Sequence, residues 1–265
     1  LPILIPAGGR LLIPEGSSSC VCHYSLQTSM AFAPISKRGS IAEIPFLADV
    51  FPEVSASPAT PLYAWQFDQD SADQRTVNPT TGSVKLQAHE KLSFSADGVT
   101  LNGTQWLSNN LEHPKLPTMP DTITLETQVT IDSAPEWSGI VGAVQDNGSY
   151  ERGCMLGINA NHFFFSLASA QKDVLTYLKS PDPIVQGKST HLVGTYDGQV
   201  MRLYVDGKQV AMSEAQKGGL YVDVNSWLTV GAYKDNDELY RFNGSIKSVT
   251  IYDGVLDAAS ISSSP

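Results

Sequence analysis

His191–Val210 reads HLVGTYDGQVMRLYVDGKQV. Two Asp-Gly steps, Asp197-Gly198 and Asp206-Gly207, punctuate a run of strand-forming residues. Asp-Gly accommodates the positive φ angles of a two-residue type I′ turn, so each step marks a hairpin. Between the steps Met201, Leu203 and Val205 alternate with Arg202, Tyr204 and Asp206. Successive strand residues point to opposite faces, so the first set turns to a core and the second to solvent. The stretch predicts a three-stranded antiparallel meander.

The same period of two recurs on both sides. In Thr122–Ile131 the residues Ile123, Leu125, Val129 and Ile131 face one way, and Thr124, Glu126, Gln128 and Thr130 the other. Phe163, Phe165 and Leu167 share a face, as do Val249 and Ile251. From Leu62 onward short strands alternate with Gly, Asn or Asp turns at the spacing of a sandwich. The only helical signal is a short turn at Leu256–Ile261 with Asp257 as its N-cap. The chain therefore reads as all-β and antiparallel, in two sheets, with a short N-terminal β extension.

Three segments are expected: residues 1–36, with strands at Leu1–Ile5 and Leu11–Ile13 around Gly8-Gly9; a linker at 37–61; and a sandwich at 62–261. Pro34, Pro45, Pro52, Pro58 and Pro61 alternate with Ser, Ala and Thr in or beside the middle stretch, which suits an extended connection. The 265 residues carry 17 Lys and Arg against 27 Asp and Glu, a net charge of -10. An acidic surface repels phosphate backbones and anionic lipid, so neither nucleic acid nor a membrane surface is an expected partner. No apolar run approaches the roughly 18 residues of a membrane span. The chain opens on Leu1 in a strand-like pattern without a signal peptide, which reads as a piece of a longer or processed protein.

Cys154 lies in the apolar run GCMLGI and reads as a small buried side chain. Cys20 and Cys22 sit two apart, an awkward spacing for bonding each other in an extended strand. A disulfide to a cysteine upstream of residue 1 is the favoured reading; metal binding is the second, with His23 adding one ligand.

The central meander resembles the signature of the laminin-G-like jelly roll, within the concanavalin-A-like lectin/glucanase superfamily. Further anchors follow in the family's order: YAWQFD at Tyr63–Asp68, VTLNGTQWLS at Val99–Ser108, TITLETQVTID at Thr122–Asp132 and RGCMLGINANHFFFSL at Arg152–Leu167. The closing strands are matched by Leu228–Asp257. The resemblance implies a jelly-roll sandwich over about Leu62 to Ile261, in a family that mostly binds. Ile5–Pro34 also resembles the last blade of secreted bacterial quinoprotein-like β-propellers, where a strand pair precedes a C-x-C element. That likeness implies an upstream propeller in the same protein and a partner for the cysteine pair; a β extension packed on the sandwich is the other reading.

Catalytic signatures are absent. Glycosidases of this fold place carboxylates on one face of one strand as E-x-D-x-E or E-x-D-x-x-E, whereas Thr122–Asp132 has Glu126 with Thr124 and Gln128 beside it. G-x-S-x-G does not occur, and the five histidines are scattered, His191 heading a core strand. No catalytic residue is therefore assigned. Asn102, Asn147 and Asn243 each begin Asn-Gly-Ser/Thr, read first as turns and second as glycosylation acceptors.

Two acidic loops carry the candidate sites. Gln145–Arg152 offers Asp146, Asn147 and Glu151, and Tyr233–Tyr240 offers Asp235, Asp237 and Glu238, oxygen ligands suited to Ca2+. Solvated acidic turns are the plain alternative. Many relatives carry an acidic residue where this closing strand has Lys247, which argues against a cation there. Aromatic faces beside polar groups suit sugars. Trp137, in a loop, with Tyr150, Arg152, Tyr233, Tyr240 and Arg241, form the expected ligand set, while Trp65, Trp106 and Trp227 fill the core. The combined expectation is a secreted, periplasmic or cell-surface binding module for a glycan or protein partner, with calcium assistance. A structural docking domain is the alternative.

Overall fold

The computed structural model describes residues 58–67 and 73–263, together with the backbone of three short strands at 5–7, 10–13 and 30–32. The cysteine pair and the linker up to residue 57 lie outside the described residues; of the features behind the propeller-like reading the strand pair is described and the C-x-C element is not. The chain divides into two compact units, 1–50 and 51–265.

In the first unit β1 (Ile5–Ala7), β2 (Arg10–Ile13) and β3 (Met30–Phe32) form an antiparallel sheet in that order. Its first strand is described over Ile5–Ala7 and pairs Ala7 with Arg10, on either side of Gly8-Gly9 in the sequence, while residues 1–4 of the expected strand lie outside the described residues.

The second unit begins with β4 (Thr60–Gln66), β5 (Thr76–Val77), β6 (Leu86–Ala88), β7 (Ser93–Ser95), β8 (Gly98–Asn102) and β9 (Leu107–Ser108). The long strands follow: β10 (Ile123–Ile131), β11 (Trp137–Asp146), β12 (Glu151–Asn159), β13 (His162–Ser169), β14 (Lys172–Lys179) and β15 (Ser189–Tyr196). Next come β16 (Met201–Val205), β17 (Lys208–Ser213), β18 (Thr229–Val230), β19 (Ala232–Lys234), β20 (Leu239–Arg241), β21 (Asn243–Asp253) and the helix α1 (Ala258–Ser263). Sheet I runs β17-β16-β15-β10-β21-β8-β7, with β4 also on β21; sheet II runs β14-β13-β12-β11-β18-β9-β6-β5. β19 and β20 form a separate hairpin. This is the jelly-roll sandwich the sequence predicted.

The inward set of each alternation meets in one core. Ile123, Leu125, Val129 and Ile131 of sheet I face Leu156, Ile158, Phe163 and Phe165 of sheet II, with Cys154 among them. Trp65 is wholly buried and donates its indole N–H to the Val84 carbonyl at 2.8 Å. The meander is β15, β16 and β17. At Asp206-Gly207 both residues take positive φ, 50° and 75°, as a type I′ turn requires. The earlier step is built differently. There Gly198 alone is left-handed, and the Asp197 carboxylate accepts from the amides of Gln199 and Val200.

Two expectations about faces are corrected. Tyr204, placed on the solvent side by alternation, is buried with Val193 under Ile261 of α1. Asp257 caps that helix, accepting from the Ser260 amide at 2.7 Å. Asn102 and Asn243 pair across β8 and β21; Asn102 also opens a turn, its Oδ1 accepting from the Thr104 amide at 3.2 Å with Gly103 left-handed, and Asn147 opens another, whereas Asn243 begins β21.

Candidate functional site

The outer face of sheet II is also apolar. Val144, Met155, Phe164, Ala168 and Leu175 form a second cluster there, joined by Tyr233 of the β19–β20 hairpin. The hairpin lies against β11 because Gly139 leaves room: a Cβ at that position would sit 2.3 Å from Ala232 and Tyr233 backbone atoms. Pairing with β12 slips between Gly139 and Val141, and a bulge of this kind bends a strand. Trp137 and Asp146, at opposite ends of β11, accordingly line the same cavity.

That cavity, about 200 Å3, is walled by Trp137, Tyr177, Tyr233 and Tyr240, with Asp146 and Glu238. Trp137, Phe164 and Tyr177 pack edge to face with centroids 5.4–5.9 Å apart, Phe164 lying beneath as floor. Tyr233 and Tyr240 stand opposite each other in the hairpin register, rings 5.8 Å apart. Tyr240 donates its hydroxyl to Glu238 at 2.9 Å. Burial raises the Tyr177 phenol pKa, and Glu151, Asp146, Glu238 and Asp235 raise it further. Burial does the same to Tyr233, helped by Tyr177, Asp235, Asp146 and Glu238. Both rings stay protonated in a field of negative charge.

Trp137, Tyr233, Tyr240, Asp146 and Glu238, chosen from sequence, thus converge. Trp137 does so as the first residue of a strand, not from a loop. Tyr150 and Arg152 belong elsewhere. Arg152 lies between the rings of Tyr150 and Tyr221, 3.9 and 4.4 Å from their centroids, and makes a two-point contact with Asp173. Tyr150 donates to Asp223 at 2.7 Å. This guanidinium is held by Asp173 and the two rings and does not line the cavity. Arg241 is exposed on β20. Tyr177 was missed; its signal was an aromatic on the outward parity of KDVLTYLK, opposite Ser166.

Several candidate oxygens of the acidic loops are already hydrogen-bonded. Asn147 Oδ1 accepts from Ser149 and Tyr150 amides, Glu151 from the Leu175 amide, and Asp235 Oδ1 from Asp237 and Glu238 amides. Asp237 is exposed. Among the described residues no three Asp, Glu, His or Cys side chains are grouped to hold a metal, whereas Ca2+ takes six to eight oxygens.

A larger trough, about 560 Å3, crosses the outer face of sheet I between Gln66, Gln128, Lys247 and Tyr252. Its floor is a hydrogen-bonded set: His191 Nε2 lies 2.8 Å from Glu126 Oε1, and Tyr252 donates to Glu126 Oε2 at 2.5 Å. Tyr252 is its single aromatic lining residue, so it lacks the opposed ring faces of the smaller cavity.

Comparison with known proteins agrees with this architecture. A family model described as the concanavalin A-like lectin/glucanases superfamily matches residues 102–262. Pappalysin-1 of Mus musculus is 27% identical over 172 residues, 61% of this chain and 10% of that protein. The Homo sapiens protein is 30% identical over 141 residues, 49% and 8% respectively. The chain thus spans a tenth or less of the length of these relatives. Among solved structures, domain 4 of an extracellular arabinanase from Geobacillus stearothermophilus, in complex with arabinotriose, superposes with a TM-score of 0.54 at 15% identity, covering 78% of this chain and 98% of that one. Trypanosoma rangeli sialidase gives 0.54 at 14%, covering 76% and 32%. No helix among the described residues is long and apolar enough to cross a membrane.

Proposed function

Because the chain belongs to the concanavalin A-like lectin/glucanases superfamily, we propose that it is a non-catalytic carbohydrate-binding module whose binding site is the aromatic cavity on sheet II. One observation carries this: four aromatic side chains from β11, β14, β19 and β20 and two carboxylates converge on a space of about 200 Å3, the size of one sugar unit. Sugar C–H faces stack on aromatic rings while carboxylates and phenols take the hydroxyls. The arabinanase domain, solved with arabinotriose, supports a glycan as ligand class. An extracytoplasmic setting fits the same relative, whose name calls it extracellular. In this reading the module gives its parent protein adhesion or substrate targeting.

A glycan and polysaccharide array tests it, run in calcium and again in chelator. Hits should weaken about tenfold in Tyr240→Ala, a partly exposed ring whose loss leaves the core intact. Calcium is expected only as an aid; hits that survive chelation remove it from recognition. A blank array in both conditions overturns the glycan reading and favours a protein docking role. Asp146 and Glu238 facing one cavity favour hydrolysis as the second reading, since glycosidases use two carboxylates. Release of reducing ends from any bound glycan would make that the function.

A further inference from the structure

We propose that the sheet II cavity selects a ligand carrying an ammonium group, which on the glycan reading means an amino sugar with a free amine. The proposal rests on that reading and narrows it.

The argument is one of charge around a ring-lined space. Tyr233 and Tyr240 are register partners and share one face of the hairpin. Its two cations, Lys234 and Arg241, leave from the other face, because strand neighbours alternate. Lys234 Nζ lies 4.1 Å from the Trp227 ring centroid and donates to the Asp235 carbonyl at 3.1 Å. Arg152 is held by Asp173, and the Lys179 ammonium by Asn159. None of these cations lines the cavity, whose wall holds no Lys or Arg.

Two carboxylates, Asp146 and Glu238, do line it. Among the described residues no salt bridge involves Asp146, Asp237, Glu238 or Glu151. Asp235 is wholly buried, and its Oδ2 has no hydrogen-bond partner. Trp137, Tyr177, Tyr233 and Tyr240 line the cavity, and an aromatic ring attracts an ammonium that lies over its face within about 6 Å of the centroid. A cavity lined by four aromatic side chains and two carboxylates, with no Lys or Arg in its wall, is complementary to positive charge. It rejects a sugar acid for the same reason.

The test titrates the full chain at about pH 5, where a sugar amine is protonated and ordinary carboxylates are still ionised. The probes are β-1,4-linked oligosaccharides of equal length built from glucosamine, N-acetylglucosamine or glucose, with tetramethylammonium chloride as the sugar-free cation. The glucosamine chain should bind at least about tenfold more tightly than the other two, the advantage shrinking as salt is added. Asp146→Asn and Glu238→Gln should erase that preference, with thermal melting as the check on folding. Tyr240→Leu, which keeps the carboxylates, should reduce it as well. Equal or better binding of the uncharged chains overturns the inference and leaves the glycan reading standing. Binding of tetramethylammonium with no sugar bound keeps the ammonium site and overturns the glycan. No binding of any probe overturns both.

Discussion

Gly139 is the residue on which the site depends most simply. Its missing side chain is the space the hairpin occupies, so Gly139→Ala forces Ala232 and Tyr233 outward. That overpacking should cost about 1–3 kcal/mol in denaturant melting and lose glycan binding together with it. Unchanged binding would show that the cavity does not need the hairpin where it lies. Asp235 offers a pH test in the same hairpin. Burial disfavours its charge, and despite two amides Glu238 and Asp237 add to the penalty, so its carboxyl sits above the usual range. A carboxyl with a raised folded-state pKa costs stability while ionised, and the cost fades as pH falls through that value. Asp235→Asn should therefore melt higher than wild type at neutral pH, with the gap closing towards about pH 4. A constant gap would mean the carboxyl is not the source. Neither residue's role could be read locally, since Gly139 stood in the stretch read as a loop around Trp137 and Asp235 read as a ligand oxygen in an acidic turn.

Among elements, β16 and α1 show where periodicity reads well and where it stops. Met201 and Leu203 are buried in the core as alternation requires, because a half-buried strand must separate its faces. Tyr204 broke the pattern because α1 covers the outer face. Ile261, fully buried, anchors that cover, and Ile261→Ala should cost about 2–4 kcal/mol in urea melting with the sandwich core retained. A negligible loss would mean the helix merely rests on the sheet. Glu126, His191 and Tyr252 follow the same lesson: outward positions on three neighbouring strands become one hydrogen-bonded set only once β15, β10 and β21 pair.

Over the whole molecule, the second compact unit carries both large sheets, so residues 51–265 alone should unfold in a single cooperative transition. A broad or multiphasic melt of that truncated chain would make the first unit part of the folding unit. A bound glycan should raise the midpoint, since a ligand that binds only the folded state stabilises it by mass action. The sequence by itself determined the all-β class, the meander, the inward faces of β10 and β13 with parts of β16 and β21, and the N-cap of α1. Those follow from φ preferences and a period of two, which are properties of neighbours along the chain. It also nominated five of the six residues around the cavity, as aromatics and carboxylates with no core role. Only the tertiary structure decided that Trp137, Asp146, Tyr177, Tyr233, Glu238 and Tyr240 meet, and that Tyr150 and Arg152 do not join them. Which outward side chains meet depends on strand order, on the slip in β11 and on a hairpin lying over a glycine. These are contacts between distant positions, set when the sheets pack, and local alternation carries no record of them.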